Sequence, residues 1–199
     1  MTAGPPRLVV ASANPAKIAE LVDLLGGRYA VEPRPPKLAD TVEDGDTLQA
    51  NALKKAREVA SFTGVAALAD DTGLFVDALE GRPGVHTARY AGESATSEQN
   101  VARLLAELDG LGDPAGRSAA FATVIALVEP DGTSTVAQGR VAGRIASAPR
   151  GEGGFGYDPV FVPLEGDGRT FAEMTSDEKH RYSHRARALQ ALLHQLAAP

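Results

Sequence analysis

The chain of 199 residues contains no cysteine. That excludes disulfides, thiolate catalysis and cysteine-zinc sites together, and it fits a cytoplasmic setting. No apolar run approaches the roughly 20 residues of a membrane-spanning helix. The opening stretch MTAGPPRLVV lacks the long apolar core of a signal peptide and reads as a short frayed lead over residues 1–6. The basic excess typical of duplex-binding proteins is also missing: 20 Lys and Arg face 26 Asp and Glu, for a net charge of −6. A nucleic-acid polymer is therefore not the expected partner, although local lysines and arginines can still gather a small anionic ligand. Repeats and low-complexity tracts are absent, and so is a Walker A loop. What is there, 43% hydrophobic and 23% charged, is ordinary globular composition at a length suited to one domain with one or two lobes.

Residues 8–12 read as a short buried strand. Ile18, Leu21, Val22 and Leu25 then fall at i, i+3, i+4 and i+7, one face of a helix, with Asn14 suited to its cap and Pro15 to its first position. Ser12–Lys17 is thus a strand-to-helix turn whose free N–H groups and dipole attract anions. The same residues also make a plain capped helix with a solvated lysine, and both readings stand. Residues 29–32 give a second strand. After a Pro-rich loop and the acids Glu43, Asp44 and Asp46, a helix is expected over residues 47–62, capped by Asp46 or Thr47. Asn51 and Lys55 lie four apart on one of its faces.

The chain's most concentrated chemistry lies at residues 69–92, ADDTGLFVDALEGRPGVHTARYAG. An apolar strand expected over residues 65–69 runs into Asp70 and Asp71. Leaving a buried strand there exposes two carboxylates at a sheet edge, where α/β proteins place ligands. Alternatively Asp70 or Asp71 makes an Asx-turn and Gly73 supplies positive φ. Further on, a helix is expected over residues 96–108, and strand-like runs at 118–129 and 134–145 flank Pro130-Asp131-Gly132 as a hairpin. The glycine-rich loop GEGGFGYD at residues 151–158 lets backbone approach a ligand, and Phe155 there can stack on a planar ring. Thr175 and Glu178 have capping-box spacing, and Ser183 is a natural N-cap that puts His184 and Arg185 in the first turn of the last helix.

Four blocks in this order, SANPAK, ADDTGLFVDALEGRPGVHTARYAG, GGFGYDPVF and EMTSDEKHRYSHRARAL, closely resemble the inosine triphosphate pyrophosphatase family, from about residue 7 to about residue 196. The resemblance implies an α/β fold: a mixed, twisted central sheet flanked by helices, in two lobes with an active-site cleft. The whole chain, residues 1–199, is then a single catalytic domain, with the hairpin at about 118–146 contributing to the second lobe. The implied activity is hydrolysis of non-standard purine nucleoside triphosphates (ITP, dITP, XTP) to monophosphate and pyrophosphate with Mg²⁺, usually by a homodimer. By the same resemblance Ser12, Ala13, Asn14, Pro15, Ala16 and Lys17 hold the triphosphate, with Lys55 nearby. Asp71 is proton acceptor and metal ligand, Thr72 contacts substrate, and Phe155, Gly156, Tyr157 and Asp158 bind the base with Lys179, His184 and Arg185.

One departure concerns the metal. Where many relatives read Glu-Glu-Thr-Gly, this chain reads Val42-Glu43-Asp44-Gly45. Glu43 is the ligand candidate there, joined by Asp71 and Asp70. Base choice is expected from donors such as Arg185 facing the 6-oxygen of inosine or xanthine, which an adenine amine would leave unmet. Two alternatives are a pyrimidine triphosphate pyrophosphatase of the septum-inhibitor class and a nucleotide-binding protein that does not hydrolyse.

Overall fold

Three parallel strands organise the first part of the chain. β1 (Arg7–Val10) pairs in parallel with β2 (Ala30–Glu32) on one side and with β3 (Ala67–Val76) on the other. Apart from Arg7 the residues of β1 are buried, as expected of a parallel strand covered on both faces. The computed structural model describes residues 4–110 and 114–198, so part of the expected lead at residues 1–6 and part of the loop DGLGDPAG lie outside it.

Helices α1 (Pro15–Leu25) and α2 (Leu48–Thr63) are the crossovers. Asn14 caps α1, accepting from the N–H groups of Ala16 at 2.9 Å and Lys17 at 3.3 Å, and Pro15 occupies a position that needs no N–H. For α2 the cap is Thr47, whose hydroxyl accepts from Ala50 N at 3.1 Å. Both helices stop at a left-handed glycine, Gly26 and Gly64. The strand order β2-β1-β3 reverses at β1, so right-handed crossovers put α1 and α2 on opposite faces of the sheet.

β4 (Pro83–Gly84) runs antiparallel to β3. α3 (Ser97–Glu107) starts with a complete capping box between Thr96 and Gln99. β5 (Ser118–Val128) and β6 (Ser134–Ile145) form the hairpin, closed by Glu129 N donating to Thr133 O at 2.8 Å, and β7 (Phe161–Pro163) pairs antiparallel with β6. The sheet is therefore mixed, in the order β2-β1-β3-β5-β6-β7, with β4 on β3. α4 (Ser176–Tyr182) and α5 (His184–Ala197) complete the chain.

One expectation is corrected. The strand does not stop before Asp-Asp-Thr-Gly; β3 runs straight through it to Val76, and Asp70 and Asp71 are 2% and 4% exposed. Gly73 lies inside this strand and is not among the positive-φ glycines. Asp and Gly are poor strand formers, but here lysines from α1 and α2 meet the two carboxylates, so the ladder continues.

The chain divides into two compact units: Met1–Asp71, Thr123–Gly139 and Arg187–Pro199 in the first, Thr72–Ala122 and Arg140–Ala186 in the second. The hairpin is shared, its turn end in the first unit and its open end in the second. The first unit's core gathers Leu8, Leu21, Leu25, Leu68, Ile125 and Leu189, each at most 1% exposed. Burying each contributes about 2 kcal/mol. The second unit's core is richer in aromatics: Phe121, Phe161 and Phe171 pack with Leu74, Leu104 and Leu108.

Candidate active site

In the first unit, Asp70 and Asp71 follow one another on β3, and each meets a lysine from a different helix. Asp70 Oδ2 lies 3.3 Å from Lys17 Nζ, on the first turn of α1. Asp71 Oδ1 lies 3.0 Å from Lys55 Nζ, on α2. Lys55 is shared: its Nζ also lies 2.8 Å from Glu43 Oε1, in the loop before α2. Asp44, one residue on, pairs instead with Lys54 at 2.7 Å on the surface. Of these two neighbouring acids, Glu43 is the one that reaches the Asp71 cluster.

The electrostatics follow from burial. Desolvation works against the Lys55 ammonium, but Asp71, Asp70 and Glu43 together outweigh it and hold its pKa above the ordinary lysine value. Burial raises the Asp71 carboxyl above the ordinary carboxylate value; Lys55 and Lys17 oppose this, and Glu43 adds to it. Glu43 and Asp71 share Lys55 and Asp70 takes Lys17, so the three acids exceed the two lysines by one negative charge.

In the second unit, the loop 151–158 folds back on itself. Asp158 Oδ2 accepts from Phe155 N at 2.8 Å and from Lys179 Nζ at 2.7 Å. A side chain on Gly154, at φ +69°, would place its Cβ 2.1 Å from that same Oδ2, so only glycine allows the turn. Lys179 Nζ sits 4.7 Å and Arg185 Cζ 5.5 Å from the centroid of the half-buried Phe155 ring. Arg185 is 1% exposed and donates from Nη2 to Thr72 Oγ1 at 3.2 Å. Thr72 follows Asp71 directly along β3.

The expected residues thus fall into two sets. Ser12–Lys17 forms the β1–α1 turn, with the Asn14 side chain committed to capping and Ser12 Oγ accepting from Asn14 N at 3.2 Å. Lys17, Glu43, Lys55, Asp70 and Asp71 converge in the first unit. Thr72, Phe155, Asp158, Lys179 and Arg185 converge in the second. Tyr157 buries its ring and donates its hydroxyl to Thr87 O at 3.0 Å, which braces the loop. His184 is 3% exposed and stacks on Phe121, centroids 4.5 Å apart and planes 16° off parallel. Sequence reasoning noted Asn51 only as a neighbour of Lys55. The structure has it donating to Asp71 Oδ2 at 3.3 Å, and the i, i+4 spacing with Lys55 was the available signal.

Among the described residues, no three His, Cys, Asp or Glu side chains converge closely enough to cage a metal by themselves. Mg²⁺ does not need such a cage. It takes one or two carboxylates and completes its shell with water and phosphate oxygens. The hard oxygen donors of Glu43, Asp70 and Asp71 fit that demand.

Residues 8–195 match the Ham1 family. A dITP/XTP pyrophosphatase of Geobacter sulfurreducens is 47% identical over 190 residues, covering 94% of each chain. One from Shouchella clausii is 45% identical over 187 residues, 93% of each. Among solved structures, a HAM1 protein from Coxiella burnetii superposes with a TM-score of 0.85 at 40% identity, covering 96% of this chain and 98% of that one. Likeness of this extent leaves no part of either acid-bearing element outside the comparison, and the chain belongs to the Ham1 family.

Proposed function

We propose that the protein hydrolyses ITP, dITP and XTP at the α–β phosphate bond, releasing nucleoside monophosphate and pyrophosphate and clearing deaminated purines from the nucleotide pool. The observation that carries this reading is the Lys55 ammonium, 3.0 Å from Asp71 and 2.8 Å from Glu43, with Lys17 on Asp70. Family relatives named dITP/XTP pyrophosphatase support it over 93% and 94% of the chain.

A purine triphosphate carries about four negative charges, so hydrolysis needs charge neutralisation and an aligned water. Bound Mg²⁺, held by Glu43 and Asp71 with Asp70 beside them, would supply charge neutralisation at the phosphates. The Ser12–Lys17 turn presents the positive N-terminal end of α1 to the phosphate oxygens, with Asn14 holding the Ala16 and Lys17 N–H groups in place. Asp71 orients a water and takes its proton. Lys17 and Lys55 offset the charge growing on the leaving pyrophosphate.

The purine stacks at Phe155. Arg185, Lys179 and the loop N–H groups favour an acceptor oxygen at the 6-position over the amine of adenine. His184 precedes Arg185 at the start of α5 and anchors that turn by stacking on Phe121. The working form is a cytoplasmic homodimer without nucleic-acid partners; sedimentation of the purified protein checks the dimer.

A panel of ITP, XTP, dITP, ATP, dTTP and UTP, with and without Mg²⁺, tests the reading. Phosphate is detected after adding inorganic pyrophosphatase. ITP and XTP should lead by at least about tenfold. Preference for dTTP and UTP, or binding of ITP without turnover, would replace it with a pyrimidine-directed enzyme or a non-hydrolysing binder.

A further inference from the structure

Asn51 has no role in the reaction as described, yet it is 2% exposed and three hydrogen bonds engage its carboxamide, one at Oδ1 and two at Nδ2. Its Oδ1 accepts from Gly45 N at 2.8 Å. Its Nδ2 donates to Gly45 O at 3.4 Å and to Asp71 Oδ2 at 3.3 Å. Only one orientation of the amide works. Turned over, it would set its carbonyl oxygen against the Asp71 carboxylate and its NH₂ against the Gly45 N–H.

We propose that Asn51 is the positioning residue of the acid cluster, a clamp that locks the Glu43 loop to α2 and fixes the plane of the Asp71 carboxylate. The inference rests on the function proposed above. Asp71 has Lys55 on one oxygen and Asn51 on the other. Both partners come from one turn of α2. The same turn holds the loop at two points, Lys55 gripping Glu43 and Asn51 gripping Gly45. Two carboxylates from separate stretches of chain are thereby referred to one rigid helix. Gly45 completes the fit: a Cβ there would stand 2.6 Å from Asn51 Oδ1 and 2.9 Å from Ala50 Cβ, so the loop approaches α2 this closely only as glycine.

The test uses the full chain. In Asn51→Ala, kcat for ITP at saturating Mg²⁺ should fall by about 10- to 100-fold, since misplacement by an ångström loses that much, while KM stays within about threefold. Amide exchange of uniformly ¹⁵N-labelled protein gives a readout independent of turnover. The Gly45 amide should exchange at least about tenfold faster in the variant, with the β1 amides still protected. Gly45→Ala should reproduce the kcat loss, and the double variant should be no worse than the poorer single one.

A kcat within threefold of the parent overturns the proposal. So does a kcat loss with Gly45 still protected, or a loss of protection throughout the chain, which would make Asn51 a folding element only. If the parent itself fails to hydrolyse ITP, the proposed function falls, while Gly45 exchange still decides whether the clamp exists.

Discussion

Replacing Asp71 by asparagine separates catalysis from folding. The carboxylate is 4% exposed, with Lys55 3.0 Å from one oxygen and Asn51 3.3 Å from the other. Asparagine keeps the shape and an acceptor for one of these donors but cannot take a proton from water. General-base catalysis contributes about 10²- to 10⁴-fold. Turnover of ITP should therefore fall by that factor, about 3–5 kcal/mol in activation free energy. The effect on folding has a different sign. Burial holds the Asp71 pKa above the unfolded value, so the folded state binds this proton more tightly than the unfolded one. Its contribution to stability is then full at low pH and lost as pH rises through the folded pKa, and at neutral pH the ionised group is no asset to the fold. The lost charge-assisted hydrogen bond from Lys55 works the other way, so stability should change by no more than about 1–2 kcal/mol. Initial rates by coupled phosphate release, beside urea unfolding of the same preparation, measure both. A fully folded Asp71→Asn protein turning over ITP within tenfold of the parent would refute the role given to Asp71.

Three further outcomes follow from the same geometry. Lys179→Met leaves Asp158, whose side chain is 4% exposed, without its ammonium; breaking such a buried pair costs about 3–5 kcal/mol, and adding Asp158→Asn should recover much of it in urea melts. Hydrogen bonds from Arg169, then from the Thr175 backbone, hold the Glu178 pKa down at about 2. A depressed folded pKa stabilises above the ordinary carboxylate range and fades as pH falls toward 2, so Glu178→Gln should lower the urea midpoint at pH 7 and match the parent near pH 2. Arg185→Ala should blur ITP against ATP by at least about tenfold in the ratio of kcat/KM, a ratio that does not depend on how much protein is folded; an unchanged ratio would remove Arg185 from base selection.

Local chemistry made much of the fold legible. Asn14, Thr96 and Thr175 announce helix starts because a cap is satisfied within three residues. Pro130-Asp131-Gly132 announces its hairpin for the same reason. The strand through Asp70-Asp71-Thr72-Gly73 was not legible, because its polar residues are met by Lys17 and Lys55, whose proximity only the fold creates. His184 illustrates the same limit from the other side. Its sequence neighbours suggest a ligand contact, but its ring partner Phe121 lies 63 positions earlier in the chain. The Ser12–Lys17 turn, Asp71 and the Phe155 loop could be picked out as candidates from sequence. That Glu43 rather than Asp44 reaches Lys55, and that Asn51 ties the loop down, depends on distances that no spacing rule supplies.

The central claim is cleavage between the α and β phosphates of a deaminated purine triphosphate. Phosphorus NMR of ITP incubated with the purified protein and Mg²⁺ reads it directly. Inosine monophosphate and pyrophosphate in equal amounts, with no inosine diphosphate at any time, is the predicted result. Inosine diphosphate appearing with orthophosphate would contradict it.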